Sequence, residues 1–97
     1  MKYIVFSESK PEDYDKVIEK RKQLLEERKK NPEKYTKALF PTHRMGGALT
    51  GKSFTVVEAT EEQIMNVALL YGTIVKLEYM PIFEYDKVND LYQKMKK

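Results

Sequence analysis

One segment of the sequence has the spacing of a phosphate-binding loop. Residues 46–53 read Gly-Gly-Ala-Leu-Thr-Gly-Lys-Ser, which matches the pattern G-x-x-x-x-G-K-[ST]. Such a loop needs a helix after it, because the helix N-terminus holds the phosphates and the last hydroxyl holds magnesium. Here the following residues, 54–59, have the β-branched and aromatic composition of a strand. We therefore interpret the segment as a glycine-rich hairpin whose tip carries Lys52.

Two other ionisable side chains are candidates for chemistry. His43 is the only histidine, and its ordinary pKa near neutrality suits a general acid or base. Glu58 lies among apolar residues, so an inward position would require a partner such as Lys52, Arg44 or a tyrosine hydroxyl. Each has a simpler interpretation, as a surface residue for His43 and as a cross-strand ion pair for Glu58. Without cysteine or a suitable histidine spacing, we expect neither a metal site nor another cofactor.

Apolar periodicity and capping residues predict the elements that would position these side chains. Strands are expected over residues 2–8, 42–49, 52–59 and 73–83, with a connector over 33–41. Helices are expected from a cap at Ser9 to Asn31, from the capping box Thr60–Gln63 to Gly72, and from a cap at Asp86 onward. This order predicts a single α+β domain over residues 1–97, a ferredoxin-like βαββαβ sandwich with an extra C-terminal helix.

The first predicted helix carries two arginines at the spacing of its apolar residues. Arg21 and Arg28 follow the same periodicity as Val17 and Leu24. Arginine can lay its aliphatic stem along an apolar stripe while the guanidinium reaches water. Because acidic and basic residues are interleaved along this segment, we expect its charged groups to be solvated.

Both faces of the predicted sheet carry apolar residues. In the first strand, Ile4 and Phe6 alternate with Tyr3 and Val5, and the third and fourth strands are similarly two-sided. A sheet covered by helices on one face alone normally alternates apolar with polar residues. Since a large exposed apolar patch is a liability in a monomer, we expect a second copy of the chain to cover the second face.

Size, charge and hydropathy exclude several classes of protein. The chain has 97 residues, and its net charge of +3 is too small to indicate a dedicated nucleic-acid binder. No apolar run reaches the ~18 residues of a membrane span, and the first seven residues lack the order of a signal peptide. We expect a cytoplasmic protein that does not bind membranes. Abundant Lys, Glu, Ile and Tyr also favour a heat-tolerant source.

Several short motifs resemble those of one protein family. The chain opens Met-Lys-Tyr-Ile-Val, residues 51–59 read Gly-x-x-Phe-x-x-Val-Glu-Ala, and residues 77–82 read Leu-Glu-Tyr-Met-Pro-Ile. With a short helix ending at Tyr71, this resembles the domain-of-unknown-function 3303 family of the dimeric α/β-barrel superfamily. Members of that family often carry tryptophan where this chain has Met45 and Tyr71. The resemblance implies a homodimer whose sheets close face to face into a barrel. The wider superfamily includes cofactor-independent monooxygenases, small isomerases, haem-degrading enzymes and ligand-sensing modules.

Three functional hypotheses follow from these observations. The first is binding of an apolar or aromatic small molecule in a sheet-lined cavity, with candidate lining residues Tyr3, His43, Phe54, Glu58, Tyr71 and Tyr79. The second is a cofactor-independent monooxygenase or isomerase, in which His43 or Glu58 moves a proton. The third is an RNA-binding module, in which Phe54 and either Tyr3 or Phe6 stack on bases across an open sheet. RNA has the weakest support, because Lys52 occupies one aromatic position of the RNA-recognition strand signature.

Overall fold

Four strands form one antiparallel sheet with helices beside it. The computed structural model describes residues 1–96. Its strands are β1 (Lys2–Glu8), β2 (Lys37–Arg44), β3 (Lys52–Glu58) and β4 (Lys76–Pro81), arranged in the order β2-β3-β1-β4. Within the described residues, the α-helices are α1 (Tyr14–Lys30), α2 (Glu61–Tyr71) and α3 (Tyr85–Met95), with 3-10 turns at Pro11–Asp13 and Pro32–Lys34. The predicted α+β class is confirmed, and the strand order is compatible with a ferredoxin-like fold.

The strand register separates two faces of the sheet. Phe6 lies opposite Phe54, so these two side chains share one face. Val5 lies opposite both Thr55 and Tyr79 on the other face, against which α1 and α2 pack. We call these the open face and the helix-covered face. The apolar centre of the open face consists of Ile4, Phe6, Phe40, Phe54, Val56 and Met80. The alternation predicted for β1, β3 and β4 is confirmed.

The apolar core between the helices and the sheet is small. Its buried apolar residues are Val5, Leu24, Val57, Ala59 and Val67. On the same face of the sheet, Ser7 lies opposite Ser53, and Thr55 lies opposite Val5. Short hydroxyl side chains therefore occupy positions where larger apolar ones would fill the interface. The result is an incompletely filled space between α1 and the sheet.

The boundaries of α2 follow the local capping signals in the sequence. The Thr60 hydroxyl accepts a hydrogen bond from the Gln63 amide at 3.2 Å, and the Gln63 side chain accepts from the Thr60 amide at 2.9 Å. Gly72 ends the helix at a φ of 64°, which suits glycine. Both predicted ends of this helix are confirmed, because reciprocal capping needs only residues close in sequence.

The predicted caps of the other two helices are wrong. The amide of Ser9 donates to the carbonyl of Gly51 at 2.9 Å, so Ser9 is held against the β2–β3 loop. A 3-10 turn beginning at Pro11 follows, and α1 starts only at Tyr14. At the third helix, Glu84 rather than Asp86 precedes the first helical residue.

Strand β2 begins five residues earlier than predicted and ends before the glycines. It occupies an edge of the sheet, and its pairing with β3 shifts register between Ala38 and Phe40 and again between Phe40 and His43. An edge strand with bulges tolerates Pro41, which has no amide to donate. Gly46 and Gly47 have positive φ values of 75° and 139°, so the chain leaves the strand there. Strand β4 is shorter than the predicted span of 73–83.

Helix α3 projects from the rest of the protein. All of its residues are exposed, and the described chain measures 55 × 32 × 20 Å along its principal axes. The predicted apolar side of this helix is formed by Val88, Leu91, Tyr92 and Met95. Its apolar stripe is characteristic of a helix that packs against another surface. Within residues 1–96 no element covers it.

Candidate functional site

A cavity of about 240 Å³ lies between α1, α2 and the helix-covered face of the sheet. Its apolar walls come from Val5 and Val57 on the sheet and from Leu24 and Val67 on the helices. Its polar walls are formed by hydroxyl and guanidinium groups of Ser7, Arg21, Arg28, Thr36, Thr42, Ser53, Thr55, Tyr71 and Tyr79. A cavity with apolar walls and a few converging polar groups has the character of a small-molecule site.

Two arginines of α1 point into this cavity. The Arg28 guanidinium donates to the Thr36 hydroxyl at 2.9 Å, and the Arg21 guanidinium donates to the Thr42 hydroxyl at 3.1 Å. Thr36 is only 2% exposed, so its partner guanidinium is drawn inward. The expectation that these groups are solvated is therefore wrong. The reason is that β2 and the residue before it bring threonine hydroxyls opposite the helix.

The positive charge of Arg28 is incompletely compensated. Its Nε atom is buried and has no hydrogen-bond partner among the described residues. Within residues 1–96, no carboxylate lies within 4.0 Å of Arg21 or Arg28. Burial lowers the pKa of Arg28, and the charge of Arg21 lowers it further. An unpaired guanidinium in a partly desolvated site favours the approach of an anion.

Two tyrosines face the arginines across the cavity. Burial raises the pKa of Tyr71, although the nearby positive charges of Arg21 and Arg28 oppose this shift. Burial also raises the pKa of Tyr79, again against the charge of Arg28. The Tyr79 ring packs edge-to-face on Tyr3, with 5.9 Å between ring centroids. Both cavity hydroxyls therefore stay protonated at neutral pH and can donate hydrogen bonds.

These pKa shifts predict a loss of stability at alkaline pH. The folded-state pKa values of Tyr71 and Tyr79 exceed the unfolded value of about 10. Their contribution to stability is thus complete below about pH 10 and is lost as the pH rises toward the folded pKa. Urea unfolding between about pH 9 and 11 should show this loss.

The variants Tyr71→Phe and Tyr79→Phe should each reduce the loss of stability at alkaline pH. Tyr85→Phe is the matched control, because Tyr85 is 79% exposed on α3, and it should leave the loss unchanged. Equal alkaline losses in all three variants and the unsubstituted protein would contradict the assignment.

A cluster of three near-parallel rings marks the open face. Phe40, His43 and Phe54 all contact one another, with centroid distances of 4.9 Å for Phe40–His43, 5.8 Å for Phe40–Phe54 and 5.9 Å for His43–Phe54. The His43 Nδ1–H donates to the carbonyl of Pro41 at 2.7 Å, which fixes the ring. His43 is exposed, in agreement with its surface interpretation.

The six residues predicted to line one cavity are divided between the two faces. Tyr71 and Tyr79 line the cavity, and Tyr3 packs behind Tyr79 on the same face. In contrast, His43, Phe54 and Glu58 lie on the open face, and Glu58 is exposed. A single chain therefore brings only the three tyrosines together, and the other three predicted lining residues lie on the opposite face of the sheet.

Glu58 has the surroundings of a surface residue. It ends β3, where its register partners are Lys2 on β1 and Lys37 on β2. Opposite charges directly across strands are mildly stabilising. The register places two lysines opposite Glu58, but within residues 1–96 no Lys or Arg nitrogen lies within 4.0 Å of its carboxylate, so the predicted ion pair is not formed. Lys52 and Arg44 are not its register partners.

The glycine-rich segment connects two antiparallel strands. Gly51 is buried below Ser9, and the Tyr14 hydroxyl donates to the carbonyl of Leu49. Strand β3 follows directly at Lys52, so no helix N-terminus faces the loop. The hairpin interpretation is confirmed, but the placement of Lys52 at its tip is wrong, because Lys52 is the first residue of β3 and lies opposite Glu8. Phe6 rather than Tyr3 shares the face of Phe54, so an RNA stacking platform would require Phe6.

Sequence reasoning missed the cavity arginines as functional groups. Arg21 and Arg28 lie seven residues apart on the sheet-facing stripe of α1, together with Tyr14 and Leu24. The signal in the sequence was that both arginines occupy positions of α1 whose side chains, by the apolar periodicity, face the sheet. Thr36 and Thr42, which accept from them, had no such signal, because the face of the sheet on which they lie depends on how this part of the chain pairs with β3.

The fold and cavity define an α+β protein with a polar-lined pocket between its helices and its sheet. No protein-family model, curated protein or solved structure gives a significant match to this chain. The resemblance to the domain-of-unknown-function 3303 family remains a prediction. Among the described helices, none has the length and apolar character needed to cross a membrane. Across residues 1–96, no three His, Asp or Glu side chains converge on a metal position.

Proposed function

We propose that this protein binds a small apolar or aromatic molecule in the cavity between its helices and its sheet. The observation that carries the proposal is the cavity itself, with a volume of about 240 Å³ and a lining rich in valine, leucine and isoleucine side chains. An apolar cavity of about 150 Å³ accommodates benzene in another protein. The space here is thus sufficient for a ring with one or two substituents.

The polar walls of the cavity add selectivity to this apolar contact. The hydroxyls of Ser7 and Ser53 bond to each other across β1 and β3. The Thr55 hydroxyl donates to the carbonyl of Phe40 at 2.6 Å, within the irregular part of β2. With these groups already paired, the tyrosine hydroxyls and the guanidinium donors that Thr36 and Thr42 do not use are left to orient a ligand.

Neutral aromatic probes test the proposal. Phenol and toluene should raise the thermal unfolding temperature, because they stabilise the folded state that alone contains the cavity. Chemical-shift changes in NMR spectra should concentrate at cavity residues such as Leu24, Val57 and Tyr79. The variant Val67→Phe should fill the cavity and weaken phenol binding by roughly tenfold or more.

The matched control adds the same ring outside the cavity. Val88→Phe lies on α3, where the side chain is 47% exposed, and it should leave phenol binding unchanged. Far-ultraviolet circular dichroism confirms that both variants fold. Equal phenol affinities in the two variants would place binding elsewhere and contradict the proposal.

We also infer that two copies of the chain associate through the open face. Its centre is apolar, and charged residues of opposite sign surround it. Glu8 lies opposite Lys52 on one side and Lys76 on the other, while Glu58 lies opposite Lys2 at the far end. An apolar centre within a polar rim is the usual anatomy of a protein interface.

The exposed apolar stripe of α3 supports the same inference. Leu91 is 61% exposed and Met95 is 83% exposed, so this helix also has an unpartnered surface. In a symmetric dimer, each unpartnered surface of one copy is available to the other copy. Light scattering at low micromolar concentration should give about twice the protomer mass of 11.5 kDa.

A further inference from the structure

The cavity between the helices and the sheet has more positive than negative groups around it. Three arginines line it, Arg21, Arg28 and Arg44, and the one acidic lining residue is Glu8, which is exposed. Arg44 lies over the Tyr14 ring, 5.3 Å from its centroid, near the hairpin. Arg21 and Arg28 are half-buried, whereas Arg44 and Glu8 are exposed, so these two arginines supply the positive charge in the buried part of the cavity.

We propose that the ligand of this cavity carries a carboxylate, which binds Arg28 and Arg21 while its apolar body contacts the valine and leucine walls. This inference rests on the proposed function and specifies the class of ligand. One Nη atom of Arg28 is already committed to Thr36, whereas its buried Nε has no partner. A planar guanidinium presents several donors to a carboxylate, and such charge-assisted bonds are among the stronger ones.

The remaining walls favour a carboxylate over a larger or more highly charged anion. Val5, Leu24, Val57 and Val67 offer contacts to hydrocarbon and none to a second anionic group. The Tyr71 and Tyr79 hydroxyls add neutral donors beside the arginines. A monocarboxylic acid with one ring satisfies the apolar and the cationic walls together, and its size agrees with the cavity volume of about 240 Å³.

Benzoate and benzyl alcohol, two probes of similar shape and different charge, test this inference by titration calorimetry on the full chain. Benzoate should bind at least roughly tenfold more tightly than benzyl alcohol, because it alone can pair with the guanidinium groups. The variant Arg28→Gln should weaken benzoate binding by roughly 10- to 100-fold. Lys29→Gln removes the same charge at an exposed position of α1 and should leave benzoate binding unchanged.

A second readout separates recognition from a purely structural role of Arg28. Without ligand, Arg28→Gln should unfold at a similar urea concentration to the unsubstituted protein, because removing a half-buried charge that has no carboxylate partner offsets the loss of its hydrogen bond to Thr36. If this variant does not fold, Arg28→Lys keeps the charge, and it should bind benzoate more weakly because it loses the planar donor set.

The other outcomes would overturn the inference in distinct ways. Equal affinity for benzoate and benzyl alcohol, unchanged in Arg28→Gln, would reject the carboxylate and leave the cavity as an apolar site. Inorganic phosphate binding more tightly than benzoate would indicate a general oxyanion site. If neither aromatic probe binds, both the inference and the proposed function are wrong.

Discussion

The substitution Phe40→Glu is expected to convert the proposed dimer into monomers. Phe40 lies in the centre of the open face, 4.9 Å from the His43 ring and 5.8 Å from the Phe54 ring. In the protomer it is 42% exposed, so the single chain can accept a polar side chain there. In the proposed dimer the carboxylate would be desolvated against apolar rings, once in each copy. Two such losses should raise the dissociation constant by roughly a thousandfold or more.

Leu69→Glu is the matched control for this experiment. Leu69 is 81% exposed on α2, away from the open face, and the same carboxylate there should leave the solution mass unchanged. Light scattering on both variants and the unsubstituted chain measures the effect. A Phe40→Glu protein that keeps its dimeric mass would show that another surface associates. A monomeric unsubstituted chain would leave the open face accessible, and RNA binding would then be tested through Phe6 and Phe54.

The substitution Gly51→Ala is expected to lower the free energy of unfolding by about 3 kcal/mol. Gly51 has a φ of 75°, a conformation that costs an L-residue energy without any contact. A Cβ atom at this position would also lie well inside van der Waals contact of the Ser9 carbonyl oxygen. That carbonyl belongs to backbone held by the hydrogen bond between Ser9 and Gly51, so it cannot move freely.

Gly72→Ala provides the matched control for backbone strain without a clash. Gly72 has a φ of 64°, and no atom lies within 4 Å of the position that its Cβ would occupy. We expect a loss of about 1 kcal/mol, measured by urea unfolding under the same conditions. Similar losses in the two variants would mean that the hairpin adapts, and that its contact with Ser9 contributes little to stability.

Features that depend on neighbours in sequence could be predicted. The capping box of Thr60 and Gln63 is complete within one turn of helix. The alternation of Ile4 and Phe6 with Val5 requires only the period of an extended strand. The two-sided apolar character of the sheet follows from the same alternation, and it is the basis for proposing a dimer.

Features that depend on contacts between distant parts of the chain could not be predicted from the sequence. Strand β2 pairs with β3 through two shifts of register, and with these shifts Phe40 lies opposite Val56 and His43 lies opposite Phe54 on the open face. Ser9 has the local pattern of a helix cap, but its amide donates to the carbonyl of Gly51, which is more than forty residues away in the sequence. A pattern in a short stretch of sequence cannot predict such contacts, because the residue that forms the contact lies outside that stretch.

The amino-acid sequence by itself determined the order of strands and helices, the apolar side of α3, and the presence of apolar residues on both faces of the sheet. Only the tertiary structure decided that Tyr71 and Tyr79 line a cavity while His43 and Phe54 lie on the open face. It also showed that Arg21 and Arg28, which were expected to be solvated, line that cavity and donate hydrogen bonds to Thr42 and Thr36. The physical reason is that a long arginine side chain can reach water or an internal acceptor equally well, and packing against β2 selects between them.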